Sequence, residues 1–386
     1  MNGQRSRIVR AARRFRPIAV KEFRQIFRDW QTLAVLLLFP AFLMILFGYA
    51  LSFDVKHIPL AVLDNDRTER SRNFAGSFLH SEYFDLRPAV PDERAIDKIL
   101  DTGRAGVVLV IPPGFDRQLA RGRAAVVQVD IDGSNSRSAS IALGYVAAIC
   151  QDFSQHIQTA ALVRAGMHSV ALPVDYRPRV WYNPELKSAK FLIPGIIVQI
   201  LLIMTVISTA LSIVREKERG TMEQLTVSPL RPLEVIFGKT VPYLALSLVG
   251  AGVVLFVGRA LFGVAVKGNW ILLFLSLLVF LVCGLAMGLL ISTIANSQRA
   301  AYQLSALLTM LPSILLSGFI FPIRNMPIVI QIVSYIIPAR YFLPVLRDII
   351  LKGVGLSVFW PQMLFLTVFA VVVLILSTFR LRRQMS

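Results

Sequence analysis

Apolar residues fall in long blocks along this chain. Residues 32–51 form an uncharged apolar run, and five more apolar runs lie near 191–214, 241–262, 270–294, 301–321 and 360–379. About 20 apolar residues, rising 1.5 Å each, cross a hydrocarbon core, so each run is read as a transmembrane helix. Ahead of the first, Ala19, Phe23, Ile26, Phe27 and Trp30 recur at helical spacing, with Lys21, Arg24 and Arg28 between them. That pattern predicts an amphipathic helix in the inner membrane interface, within a segment 1–31, in preference to a disordered basic tail. Ala50-Leu51-Ser52 has the small-x-small form of a cleavage site. A long helical region precedes it, so the run is taken as a retained span.

Between the first two spans the pattern changes. Within 52–189, strand-like runs (Ile58–Leu63, Val107–Ile111, Val126–Ile131, Arg179–Tyr182) alternate with helix-like segments (Thr68–His80, Asp92–Leu100, Ser138–Ala165). Pro112-Pro113-Gly114 and Asp132-Gly133-Ser134-Asn135 supply turns. The expectation is one mixed α/β domain of ordinary size. Asp130-x-Asp132-Gly133 brings its glycine too early for an EF-hand loop and reads as a turn with a helix N-cap. Residues 322–359 are apolar but broken by Pro322, Pro327, Pro338 and Pro344. Two short helices dipping back into the outer leaflet are expected there, with a surface-lying segment as the alternative. The fold class is thus an α-helical polytopic membrane protein with six transmembrane helices and an inserted mixed α/β extracytoplasmic domain. Residues 190–386 hold five of the six spans.

Charge orients the spans. The chain is 55% hydrophobic, with mean hydropathy +0.63 and net charge +18. Nucleic acid or anionic lipid are the usual partners of so basic a chain. Segments 1–31, 215–240, 295–300 and 380–386 carry 18 Lys/Arg against 6 Asp/Glu, whereas 52–190 carries 17 against 16. The basic excess flanks apolar spans, as the positive-inside rule requires, which disfavours nucleic-acid binding. Both ends are then cytoplasmic, with 52–190 and 322–359 outside. No Asp or Glu lies mid-span. An acidic residue there costs about 2.5–3.5 kcal/mol, so it is kept where a proton or cation path needs it. Its absence disfavours a proton-coupled transporter and a channel with a carboxylate ring. A receptor with a ligand-sensing outer domain, the other alternative, would need a cytoplasmic output module, for which the 31-residue start and short tail leave no room.

No enzyme active site is legible. Phe237-Gly238-Lys239-Thr240 resembles the end of a phosphate loop, but Leu233 stands where glycine is needed. Cys150 and Cys283 fall in the outer domain and in a span, and the four histidines form no metal spacing. No catalytic, cofactor-binding or metal residue is assigned. The informative segment is the inner loop 215–239. Arg215-Glu216-Lys217-Glu218-Arg219 ends the second span and Gly220-Thr221 makes a break. Thr221 can cap a short helix with Glu223 and Gln224 in its first turn, before Ser228-Pro229 and Arg231-Pro232 stop it. Such a helix, parallel to the membrane, suits either a partner's groove or the interface itself.

Glu216-Lys217-Glu218-Arg219-Gly220-Thr221-Met222-Glu223-Gln224-Leu225, with a following proline and Gly238-Lys239, resembles the signature of ABC-2-type exporter permeases. Val180 to Glu185 before Pro194-Gly195, Asp64-Asn65-Asp66, and Pro338-Ala339-Arg340-Tyr341 with Leu346-Arg347 and Lys352-Gly353 extend the likeness over nearly the whole chain. It fits best the branch with a large outer domain between the first two spans. The resemblance implies a drug-efflux type of permease in the inner membrane, paired with a second copy or homologue. Separate cytoplasmic ABC ATPase subunits would bind ATP and Mg, and a periplasmic adaptor and outer-membrane channel can complete the route. The cargo implied is hydrophobic or amphipathic, drugs or lipids. Glu216, Lys217, Glu218, Arg219, Gly220, Thr221, Glu223, Gln224 and Leu225 would couple to the ATPase. Pro338, Arg340, Tyr341 and Arg347 would belong to the re-entrant segment.

Overall fold

A computed structural model describes residues 17, 19–50, 57–87, 90–164, 181–183, 187–220 and 232–385. The chain divides into two compact units, Asp54–Pro178 and the remainder.

The larger unit is helical. A short helix over residues 19–28 (α1) precedes α2 (Trp30–Ala50). After the inserted unit come α7 (Ser188–Glu218), α8 (Pro232–Phe262), α9 (Trp270–Ile294), α10 (Gln298–Leu316), α11 (Ile328–Val333), α12 (Pro338–Arg347) and α13 (Leu356–Met385). Among the described residues four helices are by themselves long and apolar enough to cross a membrane: α7, α8 from Ile236, α9, and α13 to Arg380. Ile328–Ile336 and Pro338–Lys352, bent by 87°, bring the count to five when taken as one span. At the first expected span the described apolar stretch is the shorter Leu36–Ala50. At the fifth, α10 opens on Gln298, Arg299 and Gln303, which dilute its apolar character.

α7 is the most buried of the four long helices and α13 the least. α7 packs on α9 through Gly284 and Gly288, one turn apart on α9. A Cβ on Gly288 would lie 2.6 Å from the Val206 carbonyl oxygen and 2.7 Å from Thr209 Cβ. Glycine here lets two backbones approach as small-xxx-small pairs do in membranes. Burial continues into α12, where the Phe342 ring stacks on Phe280 of α9 at 4.1 Å. Cys283 donates to the Leu366 carbonyl and Ser377 to that of Ala286, tying α13 to α9.

The smaller unit carries a four-stranded sheet in the order β2-β1-β3-β4: β1 (Ile58–Asp64), β2 (Phe84–Leu86), β3 (Val107–Ile111) and β4 (Gln128–Ile131). β1 runs parallel to β2 and β3, while β4 is antiparallel to β3. Its helices are α3 (Glu69–Leu79), α4 (Arg94–Asp101), α5 (Phe115–Ala120) and α6 (Ser136–Arg164). β3 reads Val-Val-Leu-Val-Ile and is buried throughout, as a strand covered on both faces must be. Phe74, Phe78, Phe115 and Val146 cover one face, and Ile96 packs with Ala61, Leu63 and Val108 on the other. Asp132 accepts from Ser134 N at 2.9 Å and Asn135 from Ser138 N at 3.2 Å, making a turn followed by a capped helix.

The carboxyl ends of β1 and β3 are joined by a side chain. Asp66 accepts from Gly114 N at 2.7 Å, Asp116 N at 3.0 Å and Thr68 Oγ1 at 2.8 Å. Burial pushes the Asp66 carboxyl up, but the Asp116 amide, the Thr68 hydroxyl and the Gly114 amide outweigh it and hold it below the usual aspartate range. The crevice where an open parallel sheet often receives an anion is thus filled by the chain's own carboxylate.

Candidate functional site

The sequence pattern placed Ala19, Phe23, Ile26, Phe27 and Trp30 on one apolar face of a single helix, whereas α1 ends at residue 28 and Trp30 opens α2. The structure also turns α1 otherwise. Ala19, Glu22 and Ile26 are buried, while Phe27 and Trp30 are 64% and 71% exposed. An acid therefore faces inward, and its partner explains why. Lys239 Nζ of α8 lies 3.3 Å from Glu22 Oε1 and 2.5 Å from Glu216 Oε2 near the end of α7. Both the Lys239 and Glu22 side chains are about 95% buried, at 5% and 4% exposure. Lys21 Nζ closes the set from the outer side, 3.0 Å from Glu216 Oε1. Two acids and two bases thus meet where α1, α7 and α8 converge. Each charge has a neighbour of opposite sign, the condition on which buried ions are tolerated.

A second pair reinforces this junction, with Arg215 of α7 3.7 Å from Asp29 between α1 and α2. Ile26 packs with Tyr243 and Leu285 beneath the charges, so α1 is held by apolar contact as well. The other expected loop residues divide by direction. Lys217 donates to the Ala295 carbonyl at 3.3 Å and to Asn296 Oδ1 at 3.1 Å. Glu218 accepts from Gln298 N at 2.7 Å and from the Gln298 side chain, while Ser297 accepts from Ala300 N. Together they cap the start of α10, whose first amides lack helical partners. Arg219 is exposed. Gly220, with φ +69°, ends α7 in the left-handed conformation that glycine adopts without penalty. Thr221, Glu223, Gln224 and Leu225 lie outside the described residues.

The structure gathers the expected re-entrant residues separately. The Arg340 guanidinium donates to the Gln331 carbonyl at 2.7 Å and to Ser334 Oγ, and lies 3.7 Å from the Tyr335 ring centroid. Tyr341 donates to the Tyr335 carbonyl at 3.0 Å. Arg340 and Tyr341 therefore fasten α12 to carbonyls of α11 and of the turn that follows it. Pro338 starts α12, where its missing N–H is of no consequence. Arg347 bridges further, donating to the Phe191 carbonyl at 3.2 Å with its guanidinium 4.1 Å from the Phe191 ring centroid.

Sequence reading missed Glu22 and Lys239 as a pair. Glu22 sits among basic residues on a helix read as interfacial, and Lys239 stands in the sequence as the end of a rejected phosphate loop and as part of the Gly-Lys of the exporter signature, in neither case as a partner for Glu22. The available signal was that an acid and a base each stood beside an apolar face with no opposite charge three or four residues away on its own helix. Lys239 is occupied by two carboxylates and has no role left toward a phosphate.

Comparison with known proteins identifies the family. The description "ABC-2 family transporter protein" matches residues 30–379. The chain is 35% identical to the probable multidrug ABC transporter permease YbhS of Escherichia coli over 97% of this chain and 98% of that one. It is 32% identical to the probable multidrug ABC transporter permease YbhR of the same organism, over 89% of this chain and 91% of that one. ABC transporter G family member 20 of Dictyostelium discoideum is 26% identical over 88% of this chain and 46% of its own length. With a family match across almost the whole sequence and full-length relatives above 30% identity, this chain belongs to the ABC-2 transporter family.

Proposed function

We propose that this chain, the permease subunit of an ABC exporter, moves hydrophobic or amphipathic cargo such as drugs or lipids, and that the segment 215–239 receives the force. ATP and Mg bind on separate cytoplasmic ATPase subunits, and closure of those subunits presses on the loop that leaves α7 at Gly220 and re-enters at α8. The six-span topology, with both ends in the cytoplasm and residues 52–189 on the periplasmic side of the inner membrane, belongs to the same proposal. So do the second permease copy or homologue, and the adaptor and outer-membrane channel. The observation that carries the reading is the buried charge cluster. It clamps both flanks of the loop to α1, so a push on the loop is delivered to three helices as one body. ATP drives such a cycle only by favouring one state over another, and a rigid junction is what passes that preference on.

The test is a mild-detergent purification of the tagged chain, followed by identification of co-purifying proteins and an ATPase assay. A nucleotide-binding subunit with vanadate-sensitive activity is expected. Arg219→Ala, altering an exposed residue at the loop's edge, should lower cargo-stimulated ATPase activity without lowering thermal stability. Unchanged stimulation would remove the loop from the coupling role.

A further inference from the structure

We infer that the α/β unit carries a binding site for an amphipathic anion, an oxyanion group on an apolar body, in a cleft at the carboxyl ends of β1 and β2. The cleft has a volume of about 420 Å³, within the roughly 300–1,000 Å³ range of small-molecule sites. Arg67, Arg72 and Arg87 line it, from the β1–α3 loop, from α3 and from the end of β2. All three are exposed. Asp64 is the one acid among the described lining residues, and its oxygens are engaged elsewhere. Oδ1 accepts from Asp66 N and Arg67 N, and Oδ2 from Ser71 Oγ. The neighbouring Arg70, by contrast, is paired to Asp116 at 2.7 Å and points its charge away from this use.

Three guanidinium groups against the one Asp64 carboxylate leave a net positive charge in a concave, partly apolar wall, which focuses potential on anions, and guanidinium groups match carboxylate and phosphate oxygens in pairs. The unit as a whole is not basic, since residues 52–190 carry 17 Lys/Arg against 16 Asp/Glu. Three arginines in one cleft are therefore a local concentration. The apolar share comes from Leu79 and Leu86, which are 37% and 55% exposed, above buried Val90. Their exposure leaves apolar area for a ligand to cover. Arg67 is also held at φ +54°, an unfavourable conformation for a side chain of its size, by the Asp64 carboxylate. Backbone strain of this kind is concentrated at functional sites. As a class of cargo or effector, the anion rests on the exporter reading. Binding itself does not.

The full-length chain in zwitterionic lipid discs is titrated calorimetrically with octanoate and octyl phosphate, with octanol and acetate as partial probes. Both anionic amphiphiles should bind, and raised salt should weaken them. Arg67→Gln/Arg72→Gln/Arg87→Gln should weaken both by about tenfold or more, whereas Arg117→Gln/Arg121→Gln should not. Octanol and acetate should each bind far more weakly than octanoate. Arg72→Glu/Arg87→Glu, which leaves strained Arg67 in place, gives the same readout should the triple variant lose amide protection in β1 and β3. Undiminished binding in both variants, or octanol binding as tightly as octanoate, would overturn the site. The co-purified ATPase is scored on the same preparation. Its presence without octanoate binding defeats this inference alone, and binding without an ATPase defeats the exporter reading alone.

Discussion

Lys239 shows how much one side chain is asked to do. It pairs with Glu22 and Glu216 at once, inside a junction where water is largely excluded, and Lys21 supplies the second positive charge. Removing one member of a buried ion set leaves an uncompensated charge and costs about 3–5 kcal/mol, whereas replacing the members together by apolar groups is far less damaging. Lys239→Ala should therefore lower the unfolding midpoint in detergent strongly. The triple replacement Glu22→Met/Glu216→Met/Lys239→Met should recover most of that loss. If the triple variant is restored in stability but not in cargo-stimulated ATPase activity, the ions serve the transmission of force. If activity returns with stability, their part is structural and the coupling proposal loses its carrier. Lys21 differs in kind, because its side chain is 58% exposed and solvent screens its pair with Glu216.

The elements show where sequence was informative. Apolar runs near 191–214, 241–262 and 270–294 fall within α7, α8 and α9, because twenty uncharged residues admit few other fates. β1 and β3 were legible as short apolar runs between turn residues, and Val107–Ile111 is copied to the residue. The rotation of α1 was not legible. Periodicity finds an apolar stripe but cannot tell which part of a wide stripe meets protein and which meets lipid, and here Glu22 takes the protein side while Phe27 and Trp30 are left outward. The roles of Glu216 and Glu218 also escaped, since a run of alternating charge looks solvated until Lys239 and Gln298 arrive from elsewhere in the chain. Helix packing yields a prediction of its own. Gly288 admits the α7 backbone so closely that an added methyl group meets the Val206 carbonyl and Thr209. Gly288→Ala should destabilise by about 1–3 kcal/mol, read as a lower thermal midpoint. Gly252→Ala, at a glycine with nothing within 4 Å of the added atom, should be close to neutral. Equal midpoints for the two variants would show that α7 and α9 can separate at little cost.

At the scale of the molecule, apolar surface is unevenly shared. α7 lies between α2 and α10, and both neighbours keep large apolar side chains outward. Phe42 and Tyr49 of α2 are 56% and 62% exposed, and Leu307 and Leu311 of α10 are 62% and 60% exposed. Lipid can cover such faces, so exposure alone does not call for protein. The proposed pairing of two permeases makes a sharper demand, because residues on the shared face must lie within cross-linking reach of their counterparts. In a Cys150→Ala/Cys283→Ala background, Leu311→Cys should give a disulfide-linked dimer in membranes under mild oxidation. Leu364→Cys on α13, equally apolar and 53% exposed, should stay monomeric. A symmetric interface brings a residue near its own copy only close to the two-fold axis, so Leu307→Cys and Phe42→Cys are scored alongside to find that axis. Dimers from α10 or α2 but not from α13 would place the partner on the face that flanks α7. Dimers from α13 alone would put it on the opposite side, and with it the path that the cargo takes.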